Sequence, residues 1–338
     1  MYILGREVQD FEAEIASFTG AAHAVGVANG TDALMLCLKA SGIGPGDEVI
    51  TTPMSYLATA SSIALCGATA VFVDVDDSLN IDPARIEDAI TDRTRAVSVV
   101  HLAGLPARMD AIAGIAGRRG LTVIEDCAQA FGAVYQGRSV GTTGRFAAIS
   151  FHPLKNLGTP GDGGMILARN AEDAAWLRQA RNHGHRSRDE CDFWSVNSRL
   201  DELHAAFLRT QLRFYPNELA RRRGLAEIYR SRLAGVIDFP RIHDGGLPSY
   251  NWVMGLVPRR QELIEHLAQR GIETKVHYPM LIPSLKAAQA NCRADLPCPN
   301  AGRLVDRIIS LPAAEHVTPS DVLEVCREIE RFYAETPT

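Results

Sequence analysis

The sequence predicts an α/β protein that has a mostly parallel sheet flanked by helices and a smaller α+β domain at its C-terminal end. Two observations support this fold class. From residue 8 to residue 182, apolar segments of strand length alternate with segments that carry the helical apolar repeat. Beyond Gly235 the pattern changes to short strands that are interrupted by helices. We therefore expect a large domain over residues 1–215 and a small domain over residues 216–338.

The composition is that of an ordinary globular protein. The 338 residues are 46% hydrophobic and 22% charged, and such a chain can bury a substantial core in two domains. The net charge of −5 provides no basic field for nucleic acid, and no apolar run reaches the length of a membrane span. Seven cysteines without framework spacing predict reduced thiols in a cytoplasmic protein. No C-x-x-C or H-E-x-x-H pattern occurs, so we expect no metal site.

The first half of the chain provides the alternation of strands and helices. Apolar residues at 8, 11, 15 and 18 form a helical stripe, and Thr19-Gly20 ends it. The apolar run at 95–102 is typical of a strand that is buried on both faces. The helices that we expect are 8–18, 29–38, 57–65, 82–90, 108–118 and 172–182. The expected strands are 23–28, 47–52, 70–75, 95–102, 121–125, 146–151 and 164–168.

The second half of the chain contains the domain boundary and the elements of the small domain. The expected helices are 198–212, 219–233, 261–270 and 319–333, and the expected strands are 250–257 and 272–277. In open α/β sheets, ligands bind beyond the carboxyl ends of the strands. Tyr56, Asp126 and Lys155 each follow a predicted strand. We therefore expect a functional site at this edge of the sheet.

Residues 150–164 place a lysine between an apolar strand and a loop that holds four glycines. Partial burial lowers the pKa of an ammonium group, and a lysine that loses its proton can attack a carbonyl to form a Schiff base. Taken alone, Lys155 is explained equally well as a loop lysine beside a turn. Other segments of the chain decide between these two interpretations.

A second segment, Asn29-Gly30-Thr31-Asp32, opens a helix directly after a predicted strand. Backbone N–H groups and a hydroxyl at a helix start suit an anion, and a phosphate above all. An ordinary helix cap, in which Thr or Asp satisfies the first turn, explains the same residues. Since caps are far commoner than phosphate sites, this motif is weak by itself.

Four requirements of pyridoxal phosphate are met together in this sequence. The cofactor needs a lysine, a carboxylate for its pyridine nitrogen, a phosphate cradle and a ring that stacks on its face. Lys155, Asp126, the 30–32 helix start with Ser150, and Tyr56 supply these in turn. Singly, Asp126 could be a strand-end carboxylate, Tyr56 a core aromatic and Ser150 a hydroxyl bonded to its own backbone. Their combination on an α/β pattern favours the cofactor site.

At these motifs the chain resembles the DegT/DnrJ/StrS family of sugar aminotransferases, which belongs to fold type I of the pyridoxal phosphate enzymes. The similarity runs from near residue 3 to the end and is weaker in the second half. The lysine segment followed by Gly161-Asp162-Gly163-Gly164 is its most specific part. The other matching segments are 29–34, 46–50, 125–130 and 197–203.

This resemblance implies a role for each residue of the expected site. Lys155 would be the Schiff-base lysine and the proton carrier, and Asp126 would pair with the pyridine nitrogen. Gln129 would approach the ring hydroxyl, and Tyr56 stands where the family places its stacking aromatic. The phosphate would be held by Gly30, Thr31, Asp32 and Ser150.

The resemblance also implies a homodimer with shared active sites. Asn197 lies in the segment that, in the family, reaches across to the phosphate of the partner subunit. Arg199 is close enough in sequence to be an equal candidate for this contact. A monomer would then be inactive.

The implied activity is transamination, in which glutamate or glutamine donates an amino group to a keto-sugar, often nucleotide-linked, or to a keto-cyclitol. Such reactions serve amino-sugar biosynthesis for antibiotics or polysaccharides. The family also contains dehydratases in which histidine replaces the lysine, so Lys155 favours transamination. After His277-Tyr278-Pro279 this chain has Met280-Leu281-Ile282 where the family has a Pro-Leu-His element. That departure leaves a smaller sugar or a cyclitol open as acceptor.

Three other functions remain to be compared with transamination. The first is a dehydratase acting on a keto-sugar, and the second is a non-catalytic regulatory relative of the same fold. Retention of Lys155, Asp126 and the phosphate loop disfavours the regulator. The third is a dinucleotide-binding enzyme, which we exclude because no G-x-G-x-x-G follows the first strand and opens a helix.

Overall fold

A computed structural model of the chain describes residues 2–294 and 296–335. Within these ranges the α-helices are α1 (Arg6–Thr19), α2 (Gly30–Ala40), α3 (Ala58–Leu65), α4 (Ile86–Ala89), α5 (Met109–Arg119), α6 (Ala171–Ala180), α7 (Glu202–Leu212), α8 (Tyr215–Arg232), α9 (Arg260–Ala268), α10 (Ala288–Asn291), α11 (Pro299–Val305) and α12 (Pro319–Glu335). None of the helices in the described part is both long and apolar enough to cross a membrane.

The strands of the described residues are β1 (His23–Val27), β2 (Glu48–Thr51), β3 (Thr69–Phe72), β4 (Thr94–Val100), β5 (Thr122–Asp126), β6 (Val134–Tyr135), β7 (Arg138–Ser139), β8 (Phe146–Ser150), β9 (Gly164–Ala168), β10 (Gly246–Leu247), β11 (Val253–Leu256), β12 (Cys292–Arg293) and β13 (Ile308–Leu311). Eight of them form one sheet in the order β1-β9-β8-β5-β4-β2-β3-β12. In that sheet only β9 runs in the direction opposite to the other seven strands. The predicted α/β class with a mostly parallel sheet is confirmed.

The central strands are apolar on both faces because helices cover both sides of the sheet. All four residues of β2 are buried, and β4 is buried from Ala96 to Val100. Neighbouring parallel strands β4, β5 and β8 end at Val100, Asp126 and Ser150, and the pairing of Val100 with Asp126 aligns their ends. Residues that directly follow these strands therefore lie at one edge of the sheet.

The C-terminal elements enclose a separate hydrophobic core. Helices α8, α9 and α12 pack with the antiparallel pair β11 and β13 around side chains such as Leu225, Val253 and Ile329. The short strand β12 instead pairs in parallel with β3 and extends the large sheet. The division of the chain at residues 215 and 216 stays a prediction, and α8 begins at this point.

Several predicted boundaries differ from the structure. The predicted strand 272–277 is wrong, because only Lys275 forms ladder hydrogen bonds, both with Ser310. The predicted helix 82–90 is split into a 3-10 turn, Pro83–Arg85, and α4, and Asp82 caps the turn. Helix α7 begins four residues later than predicted, because the backbone at Asp201 is extended and bridges to Ile3. The short strands β6, β7, β10 and β12 were not predicted, since two-residue strands carry no periodic pattern.

Candidate active site

The loop that carries Lys155 leaves the carboxyl end of β8 and folds back on itself. The Phe151 N–H donates to the Gly163 carbonyl at 2.8 Å, and the Thr159 N–H donates to the Phe151 carbonyl at 2.9 Å. These bonds hold Lys155 partly buried, with its Nζ 5.5 Å from the centre of the Trp252 ring. Burial lowers the pKa of Lys155, and the charge of Asp126 acts in the opposite direction. A lowered pKa makes the free amine, which is the nucleophilic form, more available.

Asp126 ends β5 and is almost fully buried. Its Oδ2 accepts a hydrogen bond from the Thr59 hydroxyl at 3.1 Å, and its Oδ1 accepts from the Ala128 N–H at 3.1 Å. Burial raises the pKa of Asp126, while the Ala128 N–H and the charge of Lys155 act against the rise. Within the described part of the chain Asp126 forms no ion pair. Its carboxylate can therefore accept a bond from a cationic N–H group of a ligand.

Gln129 is buried just beyond Asp126 and is fixed at both ends of its amide. Its Oε1 accepts from the Ala103 N–H at 2.7 Å, and its Nε2 donates to the Tyr278 hydroxyl at 3.1 Å. Tyr278 was not predicted as a site residue. Burial, with the nearby Asp126 and Tyr56, raises the pKa of Tyr278, so its hydroxyl keeps its proton at neutral pH.

Tyr56 follows β2 and joins this cluster from the other side. Its ring centre lies 5.7 Å from that of Tyr278, with the planes tilted by 41°. Tyr56 is 50% exposed, so it is not the core aromatic that the alternative interpretation required. An exposed ring beside Tyr278, whose hydroxyl is bound to Gln129, is available for stacking on a planar ligand.

The start of α2 packs directly against the end of β8. A Cβ atom on Gly30 would lie 2.8 Å from the Ser150 Cβ, so only glycine fits at this approach. The Asn29 side chain caps the helix by accepting from the Asp32 N–H at 2.8 Å. The cap is thus Asn29, and Thr31 and Asp32 are not needed for it. The structure brings together Gly30, Thr31, Asp32 and Ser150 beside the Lys155 loop.

The segment with Asn197 and Arg199 is not part of this cluster in its own chain. Arg199 donates to the Asn182 Oδ1 at 3.0 Å, and Asn197 is exposed. Between them, the Ser198 hydroxyl accepts from the Ala28 N–H at 3.1 Å, just before the start of α2. The segment is therefore anchored next to the start of α2, while Arg199 binds Asn182 and Asn197 is exposed.

Trp252 and His277 form a stacked pair of rings near Lys155, which the sequence did not predict as part of the site. Their rings stack at a centroid distance of 3.8 Å with planes 7° apart, and the His277 Nδ1 lies 2.8 Å from the Ser310 hydroxyl. Burial, with the charge of Lys155, lowers the pKa of His277 to about 4. His277 is therefore neutral at physiological pH. The available signal was Trp252 within predicted strand 250–257 and the His277-Tyr278-Pro279 segment, which the resemblance connects with the acceptor but to which it assigns no role for either ring.

Comparison with known proteins identifies the class of enzyme to which this site belongs. The model of the DegT/DnrJ/EryC1/StrS aminotransferase family matches residues 1–330. The dTDP-3-amino-3,4,6-trideoxy-alpha-D-glucose transaminase of Streptomyces venezuelae is 42% identical over 334 residues, which cover 98% of this chain and 88% of that protein. The crystal structure of S. venezuelae DesV in complex with a ketimine intermediate superposes with a TM-score of 0.95 at 41% identity, over 98% of this chain and 90% of that one.

A further solved structure bears on the cofactor. NtdA of Bacillus subtilis, determined with bound PMP, has a TM-score of 0.88 and 27% identity over 98% of this chain and 78% of its own. The fold and these matches together define an aminotransferase of fold type I. The chain belongs to the DegT/DnrJ/EryC1/StrS aminotransferase family. The predicted family, fold and enzyme class are confirmed.

Proposed function

We propose that this aminotransferase uses pyridoxal 5'-phosphate at Lys155 to move an amino group from glutamate or glutamine to a keto-sugar or keto-cyclitol. One observation carries the proposal. Burial lowers the pKa of Lys155 and raises that of Asp126, two interacting groups at the carboxyl edge of the same sheet. Opposed pKa shifts of neighbouring groups are a mark of acid–base sites. A nucleotide-linked acceptor is favoured by the dTDP-sugar that names the Streptomyces relative.

The residues present fit the cofactor. The Asp126 carboxylate has no ion-pair partner in the described ranges and faces the Lys155 charge. The first turn of α2 leaves backbone N–H groups without intrahelical acceptors, and the Ser150 hydroxyl lies against it at Gly30. A cationic ring nitrogen and a phosphate would thus each meet a suitable group. Gly30, Thr31, Asp32 and Ser150 would hold the phosphate, and Asp126 would hold the ring nitrogen.

When bound, the cofactor supplies a carbonyl carbon for the amine and a ring that takes up negative charge from the reacting carbon. The Lys155 Nζ, whose pKa is lowered, can accept and return a proton at that carbon. Asp126 would keep a proton on the ring nitrogen of the cofactor, because its carboxylate is buried and held by Thr59. Gln129, held by the protonated Tyr278 hydroxyl, would approach the ring hydroxyl of the cofactor, and Tyr56 beside Tyr278 would stack on the cofactor ring.

We also propose a homodimer, in the cytoplasm, whose subunits share active sites. Large apolar side chains are exposed around the site loops, among them Leu154, Leu203 and Phe214, and Trp194 is 94% exposed next to Asn197. Exposed apolar groups of this number mark an interaction surface. Mixing a Lys155→Ala chain with an Asn197→Ala/Arg199→Ala chain tests this. If sites are shared, the mixture regains activity through heterodimers with one intact site, whereas sites contained in one chain give no recovery.

The test of the activity is product analysis. The purified protein is incubated with pyridoxal phosphate, glutamate or glutamine, and a panel of nucleotide-linked keto-sugars, free keto-sugars and keto-cyclitols. Transamination predicts the 2-oxo acid of the donor and an aminated acceptor in equal amounts. A dehydratase would consume the acceptor without the 2-oxo acid, and a non-catalytic relative would form neither product. Either of those results contradicts the proposal.

A further inference from the structure

We propose that Glu125 and His101 act as a positioning pair, which fixes the carboxyl ends of β4 and β5 and the turn before β8 next to the cofactor site. The inference rests on the proposed function. Neither residue is in the set predicted from the sequence, and neither touches the reacting groups. Their role follows from the contacts that they make behind Asp126.

The Glu125 carboxylate is fully buried and joins β5 to the turn that leads into β8. It accepts from the N–H groups of Gly141 at 2.8 Å, Thr143 at 2.9 Å and Gly144 at 2.6 Å. Its Oε2 lies 3.1 Å from the His101 Nε2. One carboxylate thus binds four donors, three of them in the backbone at the start of the strand that carries Ser150 and leads to Lys155.

His101 follows β4 and is also fully buried. Its Nδ1 accepts from the Ala107 N–H at 3.0 Å, which assigns the ring proton to Nε2 and makes His101 the donor to Glu125. The His101 backbone N–H donates to the Asp126 carbonyl at 3.2 Å. The turn after His101 presents the Ala103 N–H to Gln129. The segment that the pair fixes therefore contacts the backbone carbonyl of Asp126 and the side-chain amide of Gln129.

The electrostatics favour the ionised form of Glu125. Burial opposes its ionisation, but the hydrogen bonds from His101 and the turn N–H groups together lower the pKa of Glu125. The Cys127 thiol lies within 4.8 Å of the nearest His101 and Glu125 atoms, a spacing that could suit a metal. Both His101 nitrogens are already engaged by protein groups, so hydrogen bonding accounts for the cluster.

A buried carboxylate in the same sheet offers a matched control. Glu48 at the start of β2 is also buried and is held by Arg93, Arg293 and the Thr91 hydroxyl. Losing the charge of either glutamate leaves buried donors unpaired and lowers stability. Only Glu125 lies next to Asp126. A loss of stability alone would therefore act equally in both variants, whereas positioning acts only through Glu125.

The experiment compares Glu125→Gln and His101→Gln with Glu48→Gln in the full-length protein. Thermal melting and the Kd for pyridoxal phosphate, from fluorescence quenching, are measured for each. We expect all three to melt at lower temperature than the unaltered protein. We expect only the first two to bind the cofactor more weakly, by about 10- to 100-fold, the range for residues that orient a ligating group. His101→Gln, which retains an amide donor, is the variant to use if Glu125→Gln does not fold.

A double variant separates positioning from general damage. Since Glu125 acts through Asp126, Glu125→Gln adds little to the loss of affinity that Asp126→Asn already causes. Additive losses, or unchanged cofactor affinity in both Glu125→Gln and His101→Gln, overturn this inference. If the unaltered protein itself binds no pyridoxal phosphate, the proposed function fails first and this inference fails with it. The two failures are thereby distinguishable.

Discussion

Glu48 at the amino end of the large sheet and the Lys155–Asp126 pair at its carboxyl end are buried charged groups that differ in how they are paired. At the amino end, burial opposes the ionisation of Glu48, but Thr91, Arg93 and Arg293 bind it and lower its pKa. At the carboxyl end, Lys155 and Asp126 have no ion pair in the described ranges, and burial shifts both pKa values towards the neutral forms. Satisfied charges support the fold, whereas unsatisfied ones are kept reactive. Glu48 thus supports the fold at the amino end, whereas Lys155 and Asp126 are kept reactive at the carboxyl end, beside the fully hydrogen-bonded Glu125.

The largest effect that breaks this comparison is the loss of the reactive lysine. Lys155→Ala removes both the nucleophile and the proton carrier, so we expect activity to fall by at least about 10⁴-fold. The exposed Lys286→Ala is the control and should leave activity unchanged. Steady-state release of the 2-oxo acid measures both. A Lys155→Ala enzyme that keeps a tenth of the activity would show that the carboxyl end is not the reactive one.

The next largest effect is expected from removing the charge of a carboxylate at the carboxyl end of the sheet, with a carboxylate at the amino end as the control. Asp126→Asn should lower activity by about 10³-fold, within the usual range for acid–base groups. The control is Asp173→Asn, because Asp173 is bound by Arg145 and the Asn170 side chain at the amino end. We expect Asp173→Asn to lower the free energy of unfolding in urea while kcat stays within twofold. Equal losses of kcat in the two variants would contradict the separation of roles.

A smaller effect is expected from filling the approach between α2 and β8. Gly30→Ala places a methyl group 2.8 Å from the Ser150 Cβ, which separates the residues expected to hold the phosphate. Overpacking of this kind costs about 1–3 kcal/mol, and if that cost falls on the cofactor-binding arrangement the affinity for pyridoxal phosphate falls by about 5- to 150-fold. Gly117→Ala in α5 meets no atom within 4 Å and should leave cofactor affinity unchanged. Isothermal titration of both variants decides the point.

The smallest effect is a dependence of stability on pH. The folded-state pKa of Lys155 is lowered from 10.5 by burial, so the unfolded chain binds more protons between the two values. The penalty for burying the charged lysine is present below the folded pKa and disappears as the pH rises towards 10.5. Without cofactor, Lys155→Met should therefore be more stable than the unaltered protein at pH 7. Urea unfolding from pH 7 to pH 9.5 should show this gap closing, and a widening gap would contradict the account.

Local patterns predicted the site only where each residue follows a strand. Lys155 and Asp126 could be located because parallel strands end at one edge of the sheet, and this does not depend on contacts between residues that are distant in sequence. Tyr278 could not be located in this way, because it contacts Gln129, which is 149 residues away in the sequence. The predicted strand 272–277 failed for the same reason, because its residues serve contacts with Trp252 and Ser310. Strand β12 likewise depends on Arg293 reaching Glu48, which no local repeat encodes.

The reactive end of the sheet is tested most directly by borohydride reduction of the protein loaded with pyridoxal phosphate, followed by peptide mass spectrometry. The account predicts a visible absorbance band that the reduction removes and a reduced cofactor attached only to the peptide that contains Lys155. The same treatment of Lys155→Ala should leave every peptide unmodified. A colourless protein, or a modification on another lysine such as Lys275, would contradict the central claim.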